Sequence, residues 1–278
     1  FPKIQTAIVA APLGKPKNHR HNIWNNKLSK LDYYDAVIVH SYAKVITGKD
    51  LFGQMILEED EGLSKKETFN MYKSRVINFF ANDLPDEIKI YNTIFNKPIW
   101  VTEWNLQMSK TTGNTMFQSL FVSNYLLEIL SNKDLANISI TTYHNLAGRT
   151  VSGSIFKGDN ESFITHSTYF PFSMLSVLFE GNIIKIKKNK MKDKDVYIYN
   201  CFNSDNKIHM IYIINWSNKD FDYRVNKNMN LFNSFYSKNL YDRANEKGRL
   251  SSDSYMLEGD SNMLIRPYSI SVIEGKNE

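Results

Sequence analysis

Hydrophobic and polar positions follow two different rhythms along this chain, and the change between them falls near residue 182. Before it, short β-branched runs end in polar or aromatic residues and give way to segments with helical spacing. Lys3 to Ala11 is such a run and stops at Pro12, Leu13 and Gly14, as a buried parallel strand does on entering a loop. Asp35 to Tyr42 (DAVIVHSY), Lys97 to Asn105 (KPIWVTEWN) and Asn137 to Asn145 (NISITTYHN) repeat the pattern. Between them, Trp24 to Leu31 has helical potential, and Lys65 to Asn82 sets Phe69, Tyr72, Val76, Phe79 and Phe80 at helical spacings. Thr115 to Leu130 and Thr168 to Phe179 read as further helices against a sheet. The alternation of strand and helix predicts a parallel sheet covered by helices, an α/β region over 1–182.

After Gly181 the rhythm shortens to alternating runs such as DVYIYNCF, KIHMIYIINW, FYSKNLYD and MLIRPYSISVIE, separated by Asn, Asp, Lys and Gly turns. Strands at such spacing, without strong helical segments, predict an antiparallel β-sandwich over 183–278.

With 278 residues, the chain is long enough for two cores. Its 16 Tyr and 17 Phe suit packed interiors and surfaces that stack on flat ligand faces. The net charge of +5 comes partly from the stretch Lys185 to Lys194. No aromatic residue interleaves with these lysines, so they read as a solvated loop or strand edge and no nucleic-acid partner is expected. Cys201 is the single cysteine, lies in an apolar strand pattern and is expected to fill core. No apolar run is long enough to cross a bilayer, so no membrane partner is expected. His19 and His21 are close, but no third ligand is near them in sequence, so no metal and no cofactor is expected. A glycine-rich phosphate loop is missing after the first strand, where the chain reads APLGKPKNH, which ranks an intracellular α/β enzyme of another class lower.

Four β/α units are half of the eight that close a (β/α)8 barrel. An open four-stranded parallel sheet would expose two edges and an apolar face. The expectation is therefore half of a TIM barrel whose N-terminal half is supplied in cis or by a second chain, followed by the sandwich. A complete small α/β domain is the simpler alternative.

In such barrels the C-terminal strand ends carry the active site. Here those ends hold His40 and Tyr42, Glu103 and Asn105, and Tyr143 and His144. Glu103 follows the apolar run Pro98 to Thr102, which buries the strand while the carboxylate emerges at its end. Glycoside hydrolysis with retention requires two carboxylates, one attacking the anomeric carbon and one protonating the leaving oxygen. Glu103 is a candidate for one of them, a surface ion pair being its plainer explanation.

The segment PIWVTEWN resembles the nucleophile strand of clan A retaining glycoside hydrolases, whose seventh barrel strand runs apolar, Thr or Ser, Glu, aromatic. The sixth strand of those families often ends in His-x-Tyr, matched by His40, Ser41 and Tyr42, and RPYSISVIE resembles the closing strand of their C-terminal sandwich. The likeness is to the arabinofuranosidase, xylosidase and glucuronidase-like branches, and it implies strands five to eight of the barrel plus the sandwich. It implies Glu103 as nucleophile and an acid/base residue on strand four, upstream of Phe1. Asn160 and Glu161 form an Asn-Glu pair, but in the turn GDNES.

Around Glu103, Tyr42 is a candidate donor to the carboxylate, and His40 a ligand to the sugar or the nucleophile, or else a core histidine. Trp104 is a candidate sugar platform or a core tryptophan, with Asn105 beside it. Many clan members place a tryptophan at the end of strand eight, where this chain has Tyr143 and His144. Arg149 suits an acidic or sulfated sugar, or is merely solvated. The implied function is hydrolysis of O-glycosyl bonds in an oligo- or polysaccharide outside the cytoplasm: extracellular, periplasmic or at the cell surface. The alternative is a noncatalytic carbohydrate-binding or accessory protein derived from such an enzyme.

Overall fold

The computed structural model of the chain describes residues 4–13, 18–46, 62–107, 109–149, 152–158, 162–180, 183–189, 195–226, 228–244, 246 and 248–275. Position 182, Asn160 and Glu161 lie outside them, as do Lys190 and 191–194 of the basic stretch. The chain forms two compact units, Phe1–Met108 with Lys133–His144, and Ser109–Asn132 with Asn145–Glu278.

The first unit is built on a parallel sheet of β1 (Ala7–Val9), β2 (Ala36–Ala43), β3 (Ile99–Leu106) and β4 (Ile138–Tyr143), hydrogen-bonded in that order. All four expected strands are present, and the apolar halves of β2 and β3 supply its core: Val37, Val39, Ile99 and Val101 are buried. Helix α1 (Arg20–Leu28) follows β1. Its Asn25 is fully buried because its amide closes two bonds with the backbone of Ala11, accepting from the N–H at 2.8 Å and donating to the carbonyl at 2.9 Å. The chain leaving β1 is thereby fixed.

Between β2 and β3, α2 (Lys65–Asn78) starts with a capping box, in which Ser64 and Glu67 satisfy each other's backbone N–H groups. The sequence pattern ends this helix at Asn82. In the structure it passes through a π-helical turn, Phe79–Asp83, into α3 (Leu84–Phe95). Pro85 explains the turn: in a continuous α-helix its ring would press on the carbonyl of Ala81, and a widened turn relieves that clash. The helix then buries Leu84, Ile88, Tyr91 and Phe95 and stops at Asn96 in the left-handed region, φ 49°.

The second unit begins with the short helix α4 (Ser109–Thr112) and α5 (Met116–Ser131). A small sheet follows, β5 (Ala147–Gly148), β6 (Phe156–Gly158) and β7 (Phe163–Thr165), none of which the sequence pattern announced, and then α6 (Tyr169–Glu180). Six strands form a sheet in the order β13-β12-β15-β10-β9-β8: β8 (Lys185–Asn189), β9 (Val196–Phe202), β10 (Ile208–Asn215), β12 (Met229–Ser237), β13 (Leu250–Met256) and β15 (Ser269–Gly275). Every pairing in it is antiparallel. A two-stranded sheet of β11 (Phe221–Val225) and β14 (Ser261–Ile265) packs against one face, with Ile211, Ile213, Phe232, Val225, Met263 and Ile265 in the shared core. This is a sandwich-like part, with β8 as its lysine-bearing edge.

Two sequence expectations change here. The run FYSKNLYD is strand only to Ser237, after which Asp242 accepts bonds from Ser237 and Asn239 and holds a turn. The run MLIRPYSISVIE is two strands, because Pro267 has no N–H to pair and Tyr268 takes φ 42°. The helices expected to cover the parallel sheet, α5 and α6, have their contacts in the second unit. Trp216 donates its indole N–H to Asn124 of α5 at 2.9 Å, Tyr199 donates to Glu128 at 2.7 Å, and Tyr212 donates to the Met174 carbonyl of α6 at 2.9 Å. Cys201 is buried in the sheet, and burial pushes its thiol up to about 12.

Glu128 is a buried charge of this unit, neutralised by Lys188 of β8, whose ammonium bonds the same oxygen that takes the Tyr199 hydroxyl. Replacing it with alanine strands a buried hydroxyl and the ammonium together. Glu128→Ala is expected to destabilise the chain by about 2–3 kcal/mol. Urea unfolding measures this, with Lys188→Met, Glu128→Leu as the apolar control that should recover much of the loss.

Candidate active site

Strand β3 delivers Glu103 through an irregularity. Val39 of β2 stands opposite Val101, but His40 stands opposite Glu103, so Thr102 is an extra residue in the ladder. The pairing with β4 slips at the same place, between the partners Val101–Thr141 and Trp104–Tyr143. Side chains alternate along a strand, so without the bulge Glu103 would share the face of the buried Val101. With it, Glu103 joins the face of His40 and Tyr42.

There the Tyr42 hydroxyl donates to Oε2 of Glu103 at 2.8 Å, and Nδ1 of His40 lies 3.5 Å from the same oxygen. The side chains of His40 and Glu103 are 46% and 38% exposed, so His40 is open to ligand and is no core histidine. Partial burial, the hydrogen bond to Glu103 and the charge of that carboxylate hold the Tyr42 phenol well above its ordinary range, so it keeps its proton and remains a donor. His144 joins the group, its ring edge-on to Tyr42 with centroids 6.1 Å apart.

The neighbouring candidates divide differently. Trp104 is 1% exposed and packs edge-on against Tyr143, centroids 4.8 Å apart, so it offers no ring face to a sugar. The expectation of a platform there is corrected: the bulge that turns Glu103 out also turns the next residue into the sheet. Asn105 is also buried; its amide nitrogen bonds the His144 carbonyl and its oxygen accepts from the Leu106 N–H at 2.7 Å. It ties β3 to the end of β4 and is corrected likewise from ligand to support. Tyr143 is half-buried against Trp104. Arg149 is exposed in the second unit. His19 caps α1, accepting from the His21 N–H at 3.3 Å. Among the described residues no three His, Cys, Asp or Glu side chains converge as a metal site would require.

A cleft of about 720 Å³ opens beside His40 and Tyr42, lined also by Lys44, Met71, Arg75 and Glu87. Sequence reasoning missed Glu87 because it left the segment of α3 unassigned; a charged residue three after Leu84 and one before Ile88 lies on the apolar stripe and was the available signal. Burial raises the Glu87 carboxyl to about 7, Lys44 opposing the shift and Asp83 adding to it. Its folded-state pKa thus exceeds that of an unfolded glutamate, so the fold favours the protonated form. Stability from this group is complete in acid and is lost as pH rises through about 7. Glu87→Gln is expected to flatten that loss, raising the melting temperature at pH 8 relative to wild type more than at pH 5, as thermal denaturation at the two pH values reads directly.

No protein-family model matches the chain, and no curated protein matches it in sequence. Solved structures do. The α-L-arabinofuranosidase of Thermotoga maritima aligns with a TM-score of 0.59 at 13% identity, over 98% of this chain and 58% of that one. A family 51 α-L-arabinofuranosidase, AbfB of Bifidobacterium longum, aligns with a TM-score of 0.67 at 8% identity, over 98% and 59%. BuGH86, solved in complex with neoagarooctaose, aligns at 0.53 and 11%, over 98% and 43%. At these identities the likeness is one of fold. The chain shares the fold of the aligned portions of these three proteins and spans 58%, 59% and 43% of their length.

Proposed function

We propose that this chain is the C-terminal portion of a retaining glycoside hydrolase, strands five to eight of a (β/α)8 barrel over 1–182 and a sandwich over 183–278, with Glu103 as nucleophile. The observation that carries this is the Glu103 carboxylate at the C-terminal end of a parallel strand, half-open to solvent and accepting the Tyr42 hydroxyl at 2.8 Å, within a glycoside-hydrolase fold. A carboxylate that accepts from a phenol is suited to attack, because the donor orients an ionised oxygen; the general acid must instead donate. In double displacement Glu103 attacks the anomeric carbon as the acid protonates the leaving oxygen, and water then hydrolyses the glycosyl-enzyme with that acid acting as base. His40, 3.5 Å from Oε2 of Glu103, and His144, edge-on to Tyr42, suit hydrogen bonds to sugar hydroxyls. Tyr143 remains a candidate for a more distant contact, and Arg149, within its own unit, a candidate ligand for an acidic or sulfated sugar.

The acid/base would come from the complementary barrel half, in cis or as a second chain. The sheet supports such a partner. Its two outer strands, β1 and β4, carry Val9, 58% exposed, and Ile140, 40% exposed, although β-branched residues at parallel strands are normally covered on both sides. The substrate class is an oligo- or polysaccharide, and polymers of that kind place the enzyme in the extracellular space, the periplasm or on the cell surface.

Glu103→Gln preserves volume and removes the nucleophile's charge. In the protein carrying both barrel halves it is expected to abolish turnover of an aryl glycoside while leaving the circular dichroism spectrum and melting temperature near wild type. Continued hydrolysis would overturn the assignment. Proton NMR of the first-formed sugar should show the substrate's anomeric configuration. The 278-residue chain by itself is expected to hydrolyse little or nothing until the complementary half is added; robust turnover without it would refute the need for a partner.

A further inference from the structure

The bulge that places Glu103 needs something to hold it, since an extra residue in a strand leaves the ladder out of step on both sides. Three bonds between β3 and the end of β4 flank the carboxylate. Before it, the Thr142 hydroxyl donates to the carbonyl of Thr102, the extra residue itself. After it, the His144 N–H donates to the carbonyl of Trp104 at 3.2 Å, and the Asn105 amide nitrogen bonds the His144 carbonyl. The second set is mostly backbone and belongs to any paired strand end. The first is a side chain acting where the pairing of β3 with β4 slips, between the Val101–Thr141 and Trp104–Tyr143 partners.

We propose that Thr142 is a positioning residue for Glu103: its hydroxyl pins the Thr102 carbonyl, keeps the bulge in place, and so keeps Glu103 on the face where Tyr42 and His40 meet it. Thr142 touches neither Glu103 nor Tyr42 through any bond described for it, and its effect runs through the backbone of the residue before the carboxylate. If the pin is lost, β3 has a competing arrangement available, in which strict alternation carries Glu103 toward the face of Val101. Burying a carboxylate there is costly, so the strand would fluctuate between a poorly fixed bulge and partial unpairing. Either outcome lengthens the Tyr42–Glu103 bond. The catalytic consequence rests on the reading of Glu103 as nucleophile; the structural claim does not.

The test compares Thr142→Val, which keeps the β-branched shape and removes the donor, with Thr142→Ser, which keeps the donor. The full chain is labelled with 13Cζ-tyrosine, and the Tyr42 resonance is assigned with Tyr42→Phe. In wild type the Tyr42 signal should be displaced from that of a free tyrosine by its bond to the Glu103 carboxylate, a displacement that Glu103→Gln reduces. Thr142→Val is expected to lose most of that displacement, and Thr142→Ser to keep it. A Thr142→Val chain whose Tyr42 signal stays at its wild-type position overturns the proposal, as does loss of the displacement in Thr142→Ser. A merely structural threonine would lower the melting temperature of Thr142→Val without touching this signal, which also counts against positioning. In the protein with both barrel halves, Thr142→Val should lower kcat about tenfold to a hundredfold with KM within about twofold, and Thr142→Ser should restore it. The two readings fail separately: activity surviving Glu103→Gln removes the nucleophile assignment while the tyrosine signal still decides the role of Thr142.

Discussion

One extra residue in strand β3 determines what this sheet presents. Along a regular strand Val101 and Glu103 share a face, and Val101 is fully buried opposite Val39. A carboxylate on that face would lose its hydration without gaining a partner, at a cost that a single domain's net stability of about 5–15 kcal/mol tolerates poorly. The bulge at Thr102 lets the same short strand do two incompatible things. It packs Ile99 and Val101 into the core and then turns Glu103 to His40 and Tyr42. The reversal has a further result on the following residue: Trp104 goes inward, in register with the buried Ser41, and seals the strand against Tyr143.

The bulge also marks where the sequence stops being legible. Strands β1 to β4 were readable because each begins as an apolar, β-branched run and ends in residues that a core would not choose. Glu103 and Tyr42 were readable for the same reason, since both break an apolar pattern at a strand end. The error lay in treating the whole strand end as one exposed cluster. Periodicity cannot report an insertion that changes which side chains share a face, so it leaves Trp104 open between sugar platform and core; Asn105, in register with Tyr42, is buried instead by its bonds to His144 and Leu106. Thr142 carries no signal, being a threonine in a strand, where threonine is ordinary, and Thr102 is legible only as the Thr or Ser before the glutamate, not as a bulge.

Helices show a different limit. The segment of α3 was hidden by Pro85, which in sequence looks like the end of a helix and in the structure is absorbed by a π-helical turn. Helix α5 was correctly read as a helix against a sheet, but a sequence does not say which sheet. Its burial nearly all round, including Gln118, Ser119, Ser123, Asn124 and Glu128, demands polar partners for those groups. Ser119, Asn124 and Glu128 find them in the second unit, on Ser167, Tyr199, Trp216 and Lys188, all far along the chain, while Gln118 accepts from the Thr112 hydroxyl and Ser123 donates to the Ser119 carbonyl. Polar residues on an apolar helix were thus the available clue that its neighbours would be specific rather than merely greasy.

The same reasoning separates the two carboxyl groups near the cleft. Glu103 is half-exposed and accepts the Tyr42 hydroxyl; Glu87 lines the cleft, and burial raises its carboxyl to about 7, with Lys44 only partly offsetting the loss of water. Carboxyl groups in such different surroundings have different chemical capacities on one fold. Glu87 is disposed to keep a proton, yet α3 carries it as part of the apolar stripe that also buries Leu84 and Ile88. A group that must both lend and recover a proton at a sugar oxygen has to reach that oxygen, and a side chain fixed in a helix stripe has little freedom to do so. Glu87 is therefore better understood as a pH-dependent wall of the cleft, and on the proposed reading the proton donor comes from the complementary barrel half.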